Sequence, residues 1–112
     1  MKTVADALHA ELDKGMKEGW IKPIYEFRGF YIPDYMMDGL KRYIEQGIEP
    51  GSFLTAVLCN DLNGAVGQAD DQNVKNLPAY IGYLYNEAPS PCWGSPEKVK
   101  AWMKTKRSEL ER

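Results

Sequence analysis

Helical spacing of apolar residues, in stretches joined by short connections, is the feature that most constrains how this chain can fold. Apolar residues recur every three or four positions in several stretches, a spacing typical of one buried face of an α-helix. Tight connections such as Glu49-Pro50-Gly51 make consecutive helices antiparallel neighbours. We therefore predict a mainly α fold, a compact bundle of about four to five helices. The predicted helices span about residues 3–18, 34–46, 52–67, 70–85 and 96–110.

The length and composition fit one globular domain. The chain has 112 residues, of which 44% are hydrophobic and 27% are charged, and chains of this length normally form a single domain. This composition excludes intrinsic disorder and a coiled-coil rod. We divide the predicted domain, residues 1–112, into an added N-terminal helix (1–19), an extended arm (20–33) and a helical body (34–112).

The arm differs in composition from the helices. Aromatic and β-branched residues crowd together in residues 20–33, with Gly29 in the middle and prolines as breaks. This pattern favours an extended arm or a short β-hairpin in which 24–27 pairs with 30–32. A lone two-stranded ribbon is marginal in water, so the arm must pack on the helices or on another subunit. Its aromatic content favours a contact between subunits, and we predict a homo-oligomer.

Asp61 is the most unusual residue of the predicted helix 52–67. At helical spacing it falls in the centre of the apolar stripe of that helix, where an isolated carboxylate would lose its hydration at a cost of several kcal/mol. It must then be paired, hydrogen-bonded or protonated, and its partner could be Arg42, Arg28, a Tyr hydroxyl or the start of another helix. Asp61 is therefore either a structural tie between helices or the mark of a functional site. The stripe consists of Leu54, Val57, Leu58, Leu62 and Ala65.

Local signals predict further details of the helical body. Gly47 should end the second predicted helix in a left-handed conformation, and Pro78 must kink or divide the fourth. Ser95 stands just before a proline and should cap the last helix. Trp93 is expected to anchor its loop on the core. The helical phase of Tyr83 directs this side chain away from the apolar stripe of its helix.

Charge and residue content narrow the possible partners. Fourteen Lys and Arg against sixteen Asp and Glu give a net charge of −2, which provides no overall field to attract a phosphate backbone and disfavours nucleic-acid binding. A single His and two Cys cannot build the usual zinc sites, so we expect no metal and no cofactor. No run of about 18 apolar residues and no signal-peptide core occur, so we expect no membrane span and a reducing cytoplasm.

Binding is the chemistry that the side chains favour. Tyr, Trp and Arg are enriched among the residues that anchor interfaces, and the chain carries seven Tyr and three Trp. An Arg can hold phosphate or carboxylate through a bidentate fork, a Tyr can stack, and Asp61 can fix an Arg or accept from a base edge. We expect no catalytic residue. The predicted contacts are Arg28, Tyr31, Tyr35, Arg42 and Asp61, with Asn86 and Trp93 from the loop 86–95 as a second wall.

Two other functions are compatible with the sequence. A small hydrolase could be centred on Asp61, with Asn60 and Glu87 converging within hydrogen-bond reach of it. A DNA-associated protein could use the basic last helix, since residues 97–112 carry six basic against three acidic side chains. This local excess is also what a solvated helix with a cationic C-terminal end would show.

Several segments of the chain resemble small, uncharacterised proteins encoded by bacteriophages and prophages. They include Tyr31-Ile32-Pro33-Asp34-Tyr35, Pro50-Gly51-Ser52-Phe53-Leu54, Asn60-Asp61-Leu62 and Cys92-Trp93-Gly94-Ser95. The similarity covers about residues 31–103; it implies a phage setting and carries over no catalytic residue. Small phage accessory proteins often act by stoichiometric binding. The expected function is therefore to bind and block or sequester a host factor in the host cytoplasm, either a host-defence protein or a nucleotide-like messenger.

Overall fold

The computed structural model describes residues 24–111, and within them the fold is mainly helical. This part of the chain contains a two-stranded hairpin, six α-helices and a short 3-10 helix, which confirms the predicted helical bundle with a short hairpin. The predicted N-terminal helix, His9 and the start of the arm lie outside the described residues. The elements are β1 (Tyr25–Phe27), β2 (Phe30–Ile32), α1 (Asp34–Gln46), α2 (Ser52–Leu58), α3 (Leu62–Gln68), α4 (Asp71–Lys75), α5 (Leu77–Asn86), the 3-10 helix (Ser90–Cys92) and α6 (Pro96–Leu110).

The hairpin forms as predicted from the sequence. β1 and β2 are antiparallel, with Glu26 opposite Tyr31 at the centre of the register. Arg28 and Gly29 make the turn with φ angles of 51° and 85°, the left-handed values that two-residue hairpin turns require. Glycine adopts such a φ without strain, which explains its place in the turn.

The hairpin packs on α5 of its own chain. The Tyr25 ring meets the Tyr83 ring edge to face, with 5.2 Å between centroids, and the Phe27 ring lies directly over Gly82. Tyr83 is therefore half-buried and packs against the core, so the prediction that it points outward is wrong. The physical reason is that the hairpin, which is distant in sequence, covers that side of the helix. Tyr25, Phe27 and Tyr31 thus find partners within the chain, whereas Phe30 is 37% exposed.

Two of the predicted helix ends are confirmed. Gly47 ends α1 with a φ of 70°; its backbone N–H donates to the Tyr43 carbonyl, and the N–H of the next residue, Ile48, donates to the Arg42 carbonyl. The indole Nε1 of Trp102 on α6 donates to the Ile44 carbonyl over 3.1 Å, so α6 is attached to the C-terminal end of α1. Ser95 caps α6 by accepting from the Lys98 N–H.

The predicted helix 52–67 is two helices, α2 and α3, with a break between them. Asn60 adopts a φ of 61°, which Asn tolerates better than most residues. Asp61 then caps α3, because its Oδ1 accepts the Gly64 N–H at 3.0 Å. Asp61 is exposed, so its predicted place on a buried stripe is wrong. Asp strongly favours the N-cap position, because its side chain accepts a backbone N–H that has no partner within the helix. The chain therefore starts a new helix at Asp61 and does not continue α2.

The fourth predicted helix is divided at Pro78, as its sequence indicates. α4 ends at Lys75 and α5 begins at Leu77, which places Pro78 in the first turn of α5. A helix has no internal acceptor for its first N–H groups, so the missing N–H of proline costs nothing there. Asp70 caps α4 by accepting the Asn73 N–H at 2.7 Å.

Three buried amide side chains, those of Gln72, Asn73 and Asn76, form a polar network that ties four elements together. The Asn76 Oδ1 accepts the backbone N–H of Tyr31 in β2 at 3.1 Å. Gln72 donates to the Tyr31 hydroxyl and accepts from the Tyr35 hydroxyl of α1. The Tyr80 hydroxyl of α5 donates to the Asn73 Oδ1 at 2.6 Å. Buried amides need such partners, so the network fixes where β2, α1 and α5 meet α4.

The apolar core lies between α1, α2 and α5, and buried tyrosines contribute to it. Tyr43 is fully buried, and its hydroxyl donates to the Cys92 carbonyl at 2.7 Å, which attaches the 3-10 helix. Phe53 and Tyr80 pack edge to face with 5.0 Å between centroids. Trp93 packs against this core, and the Gly94 N–H donates to the Leu58 carbonyl, so the loop folds back as predicted.

Removal of a single hydroxyl group tests the polar network. We expect Tyr80→Phe to lower the free energy of unfolding by about 1–3 kcal/mol, because the buried Asn73 Oδ1 loses its donor. The control is Thr105→Val, which removes an exposed hydroxyl on α6 and should change the free energy by less than about 0.5 kcal/mol. Urea denaturation measures both values. Equal effects would contradict the role of the Tyr80 hydroxyl.

Two glycine substitutions test how closely the hairpin packs on α5. A Cβ at Gly82 would lie 2.6 Å from the Phe27 Cγ, whereas a Cβ at Gly67 of α3 would meet no atom within 4 Å. We expect Gly82→Ala to destabilise the protein by about 1–3 kcal/mol through overpacking. Gly67→Ala should stabilise it by up to about 1 kcal/mol, because Ala favours the helix. Thermal unfolding measures the melting temperature of both variants. Shifts of the same sign would contradict the close packing of Phe27 on Gly82.

Candidate functional site

A groove with a volume of about 650 Å³ lies between α1 and α2. This volume is within the range of small-ligand sites. One wall comes from α1, the other from the turn that joins α1 to α2 and from the start of α2, and one residue of α3 closes the end. The lining residues are Tyr35, Met36, Gly39, Arg42, Ile48, Glu49, Pro50, Gly51, Ser52, Phe53, Leu54 and Gln68.

Helical spacing brings Tyr35 and Arg42 to the same wall of the groove. They are seven residues apart on α1, with Gly39 between them, so all three positions share one helix face. Gly39 has no side chain, so α1 projects little into the groove at this position. Leu54 of α2 lies close to Gly39 from the opposite side. The connection between α1 and α2 supplies Ile48, Glu49, Pro50 and Gly51 to the groove lining.

Tyr35 is held in place by its hydroxyl group. The hydroxyl donates to the buried Gln72 Oε1 at 3.0 Å, while the side chain remains 39% exposed. Burial of the hydroxyl, the nearby Asp70 carboxylate and Tyr31 together raise the pKa of Tyr35 to about 12. The phenol is thus neutral at physiological pH, and its ring forms a fixed edge of the groove.

Arg42 is the cationic group of the groove. It is exposed, and it makes no ion pair with any of the residues 24–111. Glu49 on the facing wall is the acidic group of the same lining. The floor between them is apolar, because Phe53 and Leu54 are both buried core residues. The groove can therefore accept an apolar group beside an anionic one.

A second depression of about 580 Å³ continues the groove along α2. The two share Glu49, Pro50, Ser52 and Gln68, and the second also reaches Cys59, Asp61 and Pro96. Asp61 therefore lies at the far end of this surface from Arg42 and does not pair with it. Its carboxylate is occupied by the cap of α3.

The other predicted contact residues lie elsewhere and do not line the groove. Arg28 stacks over the Phe27 ring in the hairpin turn, with 5.0 Å from Cζ to the centroid. Tyr31 is buried in the polar network. The Asn86 amide donates to the Gly82 carbonyl on α5, and Trp93 supports its own loop, with Nε1 buried and unpaired among the described residues. The loop 86–95 is thus not the second wall.

Ile48, Phe53 and Gln68 are groove residues that the sequence analysis missed. Ile48 follows Gly47 in a turn and belongs to no helical stripe, although it is exposed and apolar. An apolar residue in a connection between helices is the one signal that could have indicated the second wall. Gln68 reaches the groove only because the chain breaks at Asn60 and turns α3 toward α1, which no local pattern predicts.

The residues suggested for catalysis are not brought together in the described part of the chain. Asn60 and Asp61 line a small crevice on which Glu87 does not border. Burial raises the pKa of the Cys92 thiol to about 11. Burial and the Asp61 charge raise the pKa of Cys59 above its ordinary value, so both thiols are protonated at neutral pH. Among residues 24–111, no three His, Cys, Asp or Glu side chains converge as metal ligands.

The basic side chains of α6 form a short exposed face. Lys100, Lys104 and Arg107 are all exposed and follow helical spacing, while the other side of α6 packs on α1 through Trp102. Lys106 is partly covered; it lies 4.8 Å from the Trp102 ring centroid and pairs with Glu109. This face is separate from the groove between α1 and α2.

Comparison with protein-family models, curated proteins and solved structures finds no match to this chain. In the part that the structure describes, no helix combines the length and the apolar character that crossing a membrane requires.

Alkaline pH tests the environment of Tyr35. The folded state raises the pKa of Tyr35 from 10.0 to about 12, so it holds this proton more tightly than the unfolded chain does. The stability that results is complete below pH 10 and is lost as the pH rises toward 12. In a titration of tyrosinate absorbance, Tyr35→Phe should remove a group that ionises near pH 12. If it instead removed one that ionises near pH 10, the hydroxyl would not be buried.

Proposed function

We propose that the chain is a non-enzymatic binding protein that blocks a host protein by holding a segment of it in the groove between α1 and α2. The observation that carries the proposal is the position of Tyr35 and Arg42 on one wall of this groove, above a floor of core residues. Concave, largely apolar sites with a few placed polar groups are the usual form of a binding site.

The chemistry of the groove favours a ligand with an acidic group beside an apolar one. Arg42 would hold a carboxylate through two parallel hydrogen bonds, and the apolar group would lie on Phe53 and Leu54. Glu49 balances the charge of Arg42 within the lining, so a polyphosphate would meet repulsion there. A host-protein segment with a single acidic side chain beside an apolar one therefore fits this groove better than a nucleotide-like messenger with several negative charges does.

Two further observations support stoichiometric binding over hydrolysis. Cys59 and Cys92 are protonated thiols at neutral pH and so are poor nucleophiles. Asp61 serves its own helix as a cap. The resemblance to small phage and prophage proteins suggests the setting, a bacterial cytoplasm in which the protein blocks a host-defence protein. A homo-oligomer belongs to the same proposal, and a surface suited to it is described below.

Site-specific cross-linking in bacterial cells tests the proposal. A photo-reactive amino acid at Ile48, an exposed residue of the groove, should capture a defined host protein that mass spectrometry identifies. Arg42→Glu should lower the yield of this adduct about tenfold or more, because charge reversal at a carboxylate site costs at least about 1.4 kcal/mol.

Two controls sit on the same molecule. Lys41→Glu makes the same charge change at an exposed neighbour outside the groove lining and should leave the adduct unchanged. A photo-reactive group at Leu110, exposed at the end of α6, should not capture the same protein. An adduct that is insensitive to Arg42→Glu would contradict the proposal. A small molecule retained by the wild type in native mass spectrometry, and lost in Arg42→Glu, would instead favour a nucleotide-like ligand.

A further inference from the structure

Helices α3 and α5 share an apolar face that is open to solvent. Leu62 on α3 is 66% exposed, and Ile81 and Tyr85 on α5 are 48% and 79% exposed. Leu62 and Ile81 line the same narrow crevice, together with the partly buried Leu77, so the two helices form one continuous surface. We call this surface, with Val66 beside Leu62, the α3–α5 face. Exposed apolar surfaces that are continuous mark interaction sites.

Neither helix of this face carries a charged residue. The sequences of α3 (LNGAVGQ) and α5 (LPAYIGYLYN) contain no Asp, Glu, Lys or Arg, whereas 27% of the whole chain is charged. The exposed side of α1, by comparison, carries both acids and bases. Helices that face water normally have charged residues on the outer side. The composition of α3 and α5 therefore fits a surface that is covered by protein.

We propose that the α3–α5 face is the contact surface of a homodimer, covered by the same face of a second copy of this chain. In a two-fold dimer each patch meets itself, so any charge near the axis would meet a like charge. Because neither helix of the face carries a charged residue, such repulsion is avoided when the Asp61 carboxylate, which borders the crevice, lies away from the axis. Interfaces of homodimers are also more apolar than those of transient complexes with other proteins, and two copies that each carry a net charge of −2 approach most easily through neutral surfaces.

The side chains of the face suit this contact in detail. Tyr85 is the most exposed large side chain of the pair of helices, and tyrosine is a frequent anchor of interfaces. Asp61 borders the crevice between Leu62 and Ile81, but its carboxylate already accepts from the Gly64 N–H. On α3, Gly64 and Gln68 turn toward the grooves while Leu62 and Val66 lie on the other side of the helix. A dimer through this face therefore leaves the binding groove of each copy open.

Sedimentation velocity over a range of concentrations tests the dimer with a matched pair of variants. The wild type should sediment at twice the chain mass of 12.7 kDa. Leu62→Asp should raise the dimer dissociation constant about 100-fold or more, since each substitution acts twice across a two-fold axis. Leu110→Asp is the control, because Leu110 on α6 has a nearly equal exposure of 63%; it should remain dimeric.

Leu62→Asp should fold normally, because Leu62 is the first residue of α3 and an acid is favourable in a first helical turn. Tyr85→Lys gives a second, independent variant on α5 and should also be monomeric. A wild type that stays monomeric up to about 0.1 mM would overturn the proposal, as would variants that dimerise as well as Leu110→Asp does. The groove variant Arg42→Glu should remain dimeric, so a failure of the proposed function and a failure of the dimer can be told apart.

Discussion

The burial of three amide side chains is the constraint on which the rest of the structure depends. Gln72, Asn73 and Asn76 sit in the interior, where an unpaired amide is costly, so each must be given partners. Those partners come from β2, α1 and α5. Apolar contacts alone would tolerate a small shift of one helix past another, whereas these hydrogen bonds are satisfied in a single arrangement.

The same constraint positions the candidate site. Tyr35 stands at the N-terminal end of α1 and is tied to Gln72, while the C-terminal end of the helix is held by Trp102 and by the bond from Tyr43 to the Cys92 carbonyl. With both ends of α1 fixed, the wall that presents Arg42 is preformed. A preformed wall loses little conformational entropy when a ligand binds, which favours affinity in a small protein.

Sequence analysis predicted the features that a few neighbouring residues determine. The hairpin turn at Gly29, the end of α1 at Gly47, the division at Pro78 and the cap at Ser95 are all local, and the structure has each of them. Asp61 was misplaced because its preference for a cap competed with a helical pattern that is equally local.

Features that depend on contacts between distant residues could not be predicted in this way. The burial of Tyr83 depends on the hairpin, which covers this side of α5 and is far away in the sequence. Ile48 and Gln68 likewise line the groove because of how α1, α2 and α3 are placed relative to one another. Of the predicted contact residues, only Tyr35 and Arg42 meet in one groove, because they alone share a face of one helix.

The composition of α5 links the hairpin, the core and the proposed dimer. A helix that is apolar on all sides is normally buried on all sides. The core covers the side of α5 that carries Tyr80 and Leu84, and the hairpin covers the side that carries Gly82 and Tyr83. The remaining side carries Ile81 and Tyr85. A second copy that covered it would complete the burial and join two open grooves in one molecule, and two linked grooves bind a partner with repeated segments more tightly than one groove does.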